Sequence, residues 1–263
     1  MSAQMSAQGS PVPAVTRASA LLDALAAAGG APLSVSELAR QLGLAKSSTA
    51  NLCLALESER LVVRGDTGYT LGRRLVELGG AYLSTVDQVR EFYAACRRAP
   101  LVSGLTARVA VLEGLDVLYL ARYDGAQPIR LTANIGDRFP AHCTATGKVL
   151  MAAMAPAALD ERLRGRTLAP LTERSITDHG QLRSELERVR AQGFGLDDEE
   201  TTPGVVCVAI AVPGARTDSD TFAISATTVT TGPGGADTLD LQAVRADLET
   251  VAEALGNPLV VAR

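Results

Sequence analysis

"LSVSELARQLGLAKSSTANLCLALESERLV", residues 33–62, is the stretch from which the fold reads outward. Ser34 with Glu37 three residues later has the pattern of a capping box, in which hydroxyl and carboxylate satisfy the orphan amides of a helix start. Val35, Leu38, Ala39 and Leu42 recur at i, i+3, i+4 and i+7, one apolar stripe. Gly43 permits the positive φ that ends many helices, and Leu44 plugs the space before a second helix that starts near Lys46. In that helix Thr49, Leu52, Cys53 and Leu56 point inward, leaving Ser47, Ser48, Ala50 and Asn51 on the outer face of its first turns. A helical hairpin alone would explain two helices and a glycine turn. The polar, exposed start of the second helix points to a helix-turn-helix.

Upstream, "MSAQMSAQGSPVP" (1–13) repeats a small polar unit and ends in prolines, the composition of a floppy tail. A helix is predicted from Thr16, with Ala18, Leu21, Leu22 and Leu25 on one face and Gly29-Gly30 as its stop. Downstream, "LVVRGDTGYTL" reads as two strands, Leu61–Arg64 and Tyr69–Leu71, around a Gly-Asp-Thr-Gly turn. A hairpin directly after the second helix makes the module, residues 14–74, a winged helix-turn-helix. Ser47, Ser48 and Asn51 are then the base-reading candidates, and Lys46, Arg64, Arg73 and Arg74 the phosphate contacts. Ser34, at the start of the first helix of the pair, is counted with them. A linker helix is expected over 75–99, through Leu78, Tyr82 and Val86 towards Arg98.

Beyond Pro100 the texture changes to strand-like runs, "TARVAVLEG", "DVLYLARYDG" and "PIRLTAN". Helices follow at 145–154, 156–164 and 182–192, strands near 205–212 and 222–228, and a last helix at 239–255. Mixed strands and helices on an antiparallel sheet give residues 100–263 an α+β, sensor-like fold.

The chain of 263 residues is 47% hydrophobic and 21% charged, enough to bury a core and too ordered in pattern for wholesale disorder. No apolar run approaches a membrane span and no secretory leader opens the chain, so a soluble cytoplasmic protein is expected. Four cysteines (Cys53, Cys96, Cys143, Cys207) without a CxxC pair suit reduced thiols. The net charge of −4 argues against coating of nucleic acid, yet residues 1–79 hold seven Lys/Arg against six Asp/Glu. Arg60, Arg64, Arg73 and Arg74 cluster against Asp66 alone, a local basic feature.

"FPAHCTATGKVL", residues 139–150, invites three chemistries. A phosphate-binding loop needs GxxxxGK[ST], and here His142 and Val149 occupy two of the required positions. A thiol nucleophile needs its base across the site, whereas His142 and Cys143 are chain neighbours. A metal set from His142, Cys143, His179 and Cys207 has no ligand spacing behind it, so neither metal nor cofactor is expected. What remains is a helix start with Thr144 as N-cap, whose amides at Ala145 and Thr146 and whose dipole suit an anion.

Several stretches resemble the IclR family of bacterial transcriptional regulators. They are "SVSELARQLGLAKSSTANLCLALESERLV", "YTLGRRLVELG", "GDRFPAHCTATGKVLMA", "LERVRAQGFGLDDEE", "GVVCVAIAV" and "FAISATT", in the family's order and covering almost the whole chain after the tail. The resemblance implies a winged helix-turn-helix, a linker helix, a GAF-like effector-binding domain, and a homodimer or dimer of dimers on an operator in double-stranded DNA. It implies that Ala145 and Thr146 present amides to an effector carboxylate, with Asp197, Cys207, Ser225 and Thr227 as partners. Ser225 and Thr227 alternate on one strand, so their hydroxyls share a face. Cys207, on an apolar run, fits a core position as well as a pocket wall, Lys148 reads as structural, and Asp198, Glu199 and Glu200 as a solvated acidic turn. Asn51 and Ala50 stand where such regulators commonly carry an arginine and a bulky residue, so operator specificity does not carry over. An aromatic content of 3% suggests a small aliphatic acid as effector. The expected function is a ligand-responsive repressor, not an enzyme. The alternatives are an enzyme built on the His142/Cys143 region, or a DNA-binding protein whose second domain only dimerises.

Overall fold

The computed structural model describes residues 10–126, 133–212, 221–230 and 240–256. The chain divides into two compact units, Met1–Leu83 and Ser84–Arg263.

In the first unit, α1 (Pro13–Ala27), α2 (Val35–Leu42) and α3 (Lys46–Ser58) precede a hairpin of β1 (Val62–Arg64) and β2 (Tyr69–Leu71), and α4 (Arg74–Ser84) follows. The capping box is present in full: Ser34 Oγ accepts from the Glu37 amide at 3.3 Å, and Glu37 Oε2 accepts from the Ser34 amide at 2.8 Å. Gly43 takes the left-handed conformation (φ 64°) and turns the chain between α2 and α3. Leu21, Leu25, Leu38, Cys53, Leu56, Val62 and Tyr69 form one apolar core. Burial of each large side chain is worth about 1.5–3 kcal/mol. Leu33 pairs with Tyr69, which ties the strand entering α2 to the wing.

The second unit begins with α5 (Asp87–Arg98). Its sheet comprises β3 (Thr106–Glu113), β4 (Asp116–Asp124), β5 (Arg138–Pro140), β6 (Gly195–Asp198), β7 (Val205–Ala211) and β8 (Phe222–Val229). The strand order is β5-β4-β3-β8-β7-β6, with every neighbouring pair antiparallel. The remaining helices are α6 (Ala145–Ala153), α7 (Pro156–Leu163), α8 (His179–Gln192) and α9 (Leu241–Gly256). α5 and α9 pack on each other and on the sheet, and α6 packs against β3, β4, β6, β7 and β8, with α8 against α6. The apolar stripe of α9 (Val244, Leu248, Val251, Leu255) explains its burial, whereas α6 is buried on every side from Ala145 to Ala152.

Glycines set the approach of α6. A Cβ on Gly195 would meet the Ala145 carbonyl oxygen at 2.6 Å and Val149 Cγ2 at 2.9 Å, and one on Gly147 would collide with the Ala141 backbone. The strand and the helix start therefore touch backbone to backbone.

Three expectations change, and a fourth falls almost wholly outside the described residues. The linker helix expected over 75–99 is two helices: the chain is extended at Val86 (φ −101°, ψ 93°), and α5 buries Val89, Phe92, Ala95 and Cys96 in the second unit. Apolar periodicity carries across such a break, so the pattern alone hid it. The first helix starts at Pro13, inside the span read as a tail, because proline is favoured in a helix's first turn; residues 1–9 of that tail lie outside the described residues. The strand read in "PIRLTAN" lies outside them too, except for Ala133 and Asn134, which are not in a strand. Glu200 is not a solvated turn residue but 7% exposed.

Gly195→Ala should destabilise the second unit by about 1–3 kcal/mol, the cost of overpacking a tight contact. Urea unfolding followed by circular dichroism checks it, and an unchanged midpoint would mean that β6 is free to move away from α6.

Candidate functional site

The candidate DNA-facing residues of the first unit lie on its surface. Lys46, Ser47, Ser48, Asn51, Arg64 and Arg73 are exposed, and Ser34 and Arg74 are half-buried. The N-cap of α3 is Ala45, which has no side chain to cap with. Among the described residues, the amides of Lys46, Ser47 and Ser48 have no hydrogen-bond partner. An uncapped helix start beside Lys46 is a place for a phosphate. Thr49, one residue further, turns inward and donates to the Ala45 carbonyl at 3.1 Å. Ser34 differs from the rest, because its hydroxyl proton goes to Glu37 Oε2 at 2.6 Å and its oxygen caps α2. Arg60, fourth of the basic cluster, pairs with Glu77 at 3.4 Å.

In the second unit the sheet register builds a polar floor. Directly paired residues of an antiparallel ladder share a face, so Asp197, Cys207, Thr227, Thr106 and Asp124 form one row across five strands. Gly195, Ala209, Ser225, Arg108 and Arg122 form the next row. Gly195 meets α6, so this is the face that α6 covers.

Between helix and floor lies a cavity of about 30 Å³, lined by Tyr119, Ala133, Phe139, Thr144–Thr146, Asp197, Thr201, Thr202, Val205, Cys207 and Ser225. That is room for roughly two ordered waters or the head of a small acid. Thr144 caps α6 by accepting from the Gly147 amide at 2.9 Å. The amides of Ala145 and Thr146 have no partner among the described residues and stand in the cavity wall. Ser225 is buried (2% exposed) in the same wall.

Five of the six candidate effector residues thus surround one cavity. Thr227 stands just behind it: its hydroxyl accepts from Arg108 Nη1 at 2.7 Å and lies 3.2 Å from Cys207 Sγ. Asp197 is also more engaged than a free ligand group. Its Oδ1 accepts from the amides of Glu200 (2.8 Å) and Thr201 (3.2 Å), and its Oδ2 from Thr201 Oγ1 (2.6 Å). Burial pushes its pKa up, and these donors oppose the shift. Cys207 lines the cavity as an inert thiol, with burial pushing its pKa up to about 12.

Tyr119, Phe139 and Arg108 were missed in the sequence. Tyr119 Oη is 3.4 Å from Thr146 Oγ1, burial raises its pKa to about 12, and its ring meets Phe139 edge-on at 6.1 Å. A whole-chain aromatic content says nothing about where the few aromatic rings gather. Arg108 is 3% exposed, donates through Nε to the Ala133 carbonyl at 3.0 Å, and lies 5.8 Å from the centre of the Tyr119 ring. A lone arginine in the strand-like run "TARVAVLEG" gave no reason to single it out.

The His142–Cys143 pair sits elsewhere in its chemistry. His142 Nε2 donates to the Ala169 carbonyl at 3.1 Å, and Cys143 Sγ lies 4.0 Å from the same oxygen. Burial lowers the pKa of His142 and raises that of Cys143, the opposite of an activated thiolate pair. Lys148 is 1% exposed, donates to the Leu196 carbonyl at 2.8 Å, and is ion-paired with Glu200 and with Glu185 at 3.4 Å. Its role is internal, as its place in the sequence suggested.

Residues 14–66 match the model of the IclR helix-turn-helix domain, and residues 80–255 match that of the bacterial transcriptional regulator IclR C-terminal region. Among curated relatives, the HTH-type transcriptional regulator Rv1719 of Mycobacterium tuberculosis is 33% identical over 207 residues, 78% of each chain. The HTH-type transcriptional repressor AllR of Klebsiella pneumoniae is 30% identical, covering 80% of this chain and 76% of that one. In fold, the chain resembles an IclR transcriptional regulator from Alicyclobacillus acidocaldarius (TM-score 0.79, 23% identity, 96% of this chain and 99% of that one). It also resembles an IclR homolog from Microbacterium hydrocarbonoxydans complexed with 4-hydroxybenzoate (TM-score 0.73, 20% identity, 92% and 98%).

The raised thiol pKa of Cys143 has a direct consequence. In the native protein at neutral pH, iodoacetamide should label Cys143 more than about tenfold more slowly than in urea. Labelling at the unfolded rate would put an activated thiol back in play.

Proposed function

The chain belongs to the IclR family of bacterial transcriptional regulators, with a helix-turn-helix DNA-binding unit and an effector-binding domain, and we propose that it is a repressor released from its operator by a small carboxylate. The observation that carries this reading is the start of α6: two unpartnered amides at the positive end of a helix dipole face a buried cavity that also holds Ser225. Buried amides without partners cost free energy, and a carboxylate head satisfies both at once. Asp197, whose turn shapes the opposite wall, faces the neutral polar end of the ligand. The repressor named among the relatives and the carboxylate carried by the Microbacterium neighbour are in keeping with this sense of action and this ligand class.

On DNA, a homodimer or a dimer of dimers places α3 of each subunit in a major groove. Ser47, Ser48 and Asn51 read bases, and Lys46, Arg64, Arg73 and Arg74 hold phosphates with the open amides of α3. Effector and operator are coupled to the extent that the ligand binds two subunit arrangements with different affinity.

Asn51→Ala should cost about 1–3 kcal/mol on the operator and relax preference at one base pair per half-site, read by binding to a panel of single-base operator variants. Arg64→Ala should weaken all sequences alike and reduce the salt-dependence slope by about one unit. Ser225→Ala should raise the effector concentration for half-release by about tenfold or more, measured against the variant's own operator affinity. An unmoved half-release concentration would remove Ser225 from the effector site.

A further inference from the structure

We infer that Tyr119, backed by Phe139, is the length-setting wall of the effector cavity, which confines the site to acids of about two to four carbons; this rests on the reading of the cavity as the effector site. A cavity of about 30 Å³ holds a carboxylate head and a short tail, so the side chains that bound it also select the ligand. Among the described residues, Tyr119 and Phe139 are the aromatic rings in its wall, and the other lining side chains are smaller. In the sheet register Tyr119 shares its row with Ala110, Ala223 and Ala211. Of that row only the tyrosine is long enough to reach the first turn of α6, and it does so at Thr146, where Oη lies 3.4 Å from Oγ1.

The other walls have little freedom to adapt. Glycine contacts hold the start of α6 against β6 and against the Ala141 backbone. The Asp197 carboxylate is held by the amides of Glu200 and Thr201 and by the Thr201 hydroxyl. Cys207 and Ser225 stand on β7 and β8, strands paired on both sides. Tyr119 is itself braced: its ring meets Phe139 edge-on at 6.1 Å, and the Arg108 guanidinium lies 5.8 Å from its centre. Arg108 Nε also holds the Ala133 carbonyl at 3.0 Å, so a further lining residue is fixed to the same support. Phe139 is the half-buried member of the pair, on β5, an edge strand of three residues. Against a buried, braced ring an added methylene finds no free volume and has to displace packed atoms, so the cut-off in length is sharp.

The ring, not the hydroxyl, sets the length. A contact of 3.4 Å between two hydroxyls is long for a hydrogen bond, so losing it leaves the wall in place. Burial keeps the phenol protonated, with its pKa raised to about 12, so it brings no charge beside a carboxylate. Cutting the ring back changes volume instead. Apolar space opened in a core collapses only in part, and such a cavity takes up a ligand that fills it. Each methylene newly buried there is worth about fourfold in affinity.

The test uses the full-length protein and two homologous series, straight-chain acids from acetate to octanoate and 2-hydroxy acids from glycolate to 2-hydroxyoctanoate, with affinities read by isothermal titration. In the wild type the tightest-binding acid should have about two to four carbons, and its homologue of about six carbons should bind at least about tenfold more weakly. In Tyr119→Ala the longer acid should gain at least about tenfold relative to the short one, while Tyr119→Phe keeps the wild-type cut-off. A gain of binding is a change that mere loss of stability does not produce. Should Tyr119→Ala fail to fold, Phe139→Ala, at a half-buried position, decides alone, with a smaller shift towards longer acids. A wild type that binds long acids as tightly as short ones, a preference unmoved in the alanine variants, or a cut-off lost equally in Tyr119→Phe overturns this inference and leaves the cavity as the effector site. A wild type that binds no member of either series overturns the cavity reading and the inference together.

Discussion

The buried ammonium of Lys148 is the interaction on which the effector domain's geometry depends. It reaches from the second turn of α6 to the Leu196 carbonyl on β6, and to carboxylates on α8 and on the turn after β6. The helix whose first turn carries the open amides is thereby tied to the strand whose next residue is Asp197. Removing one partner of such a buried group strands the others, typically at about 3–5 kcal/mol, whereas the intact set is worth much less as net stability. What the interaction supplies is position. Gly195 and Gly147 allow the same closeness sterically that Lys148 maintains electrostatically. The Asp197 carboxylate adds a third tie by holding the amides of Glu200 and Thr201, so one turn of chain shapes a wall of the cavity and also anchors Lys148.

The two units use helix termini in a related way. α2, α6 and α8 are each capped at one amide of the first turn, by Ser34, Thr144 and Asp178. α3 begins at an alanine with no cap, and α6 is capped only at Gly147, so its first two amides stay open. The starts of α1, α5 and α7 likewise have no side-chain cap. What sets the start of α6 apart is that its open amides stand in the wall of a buried cavity.

The head was legible residue by residue because its signals are local. A capping box, a glycine in the left-handed region and a hairpin turn each involve contacts within a few positions, and all three stand where the spacing put them. The floor of the cavity was legible only in part. Ser225 and Cys207 could be named because they sit in stretches that resemble the family's. Arg108 and Tyr119 could not, because their meaning comes from neighbours on other strands: Arg108 matters through Ser225, Thr227 and Arg122, far away in the chain. Glu200 was read as solvated for the same reason, since nothing near it in sequence announces a lysine 52 positions earlier. The break between α4 and α5 escaped because apolar spacing survives an extended residue, and only the change of packing partner reveals it.

In the proposed mode of action an effector carboxylate docks on the backbone amides of Ala145 and Thr146. The most direct measurement is the backbone amide resonances of the full-length protein during titration with a small carboxylate that releases the operator. The amide protons of Ala145 and Thr146 should move downfield together, saturating at the same concentration as release, with Ser225 responding beside them. Release of the operator with those two amides unmoved would contradict it.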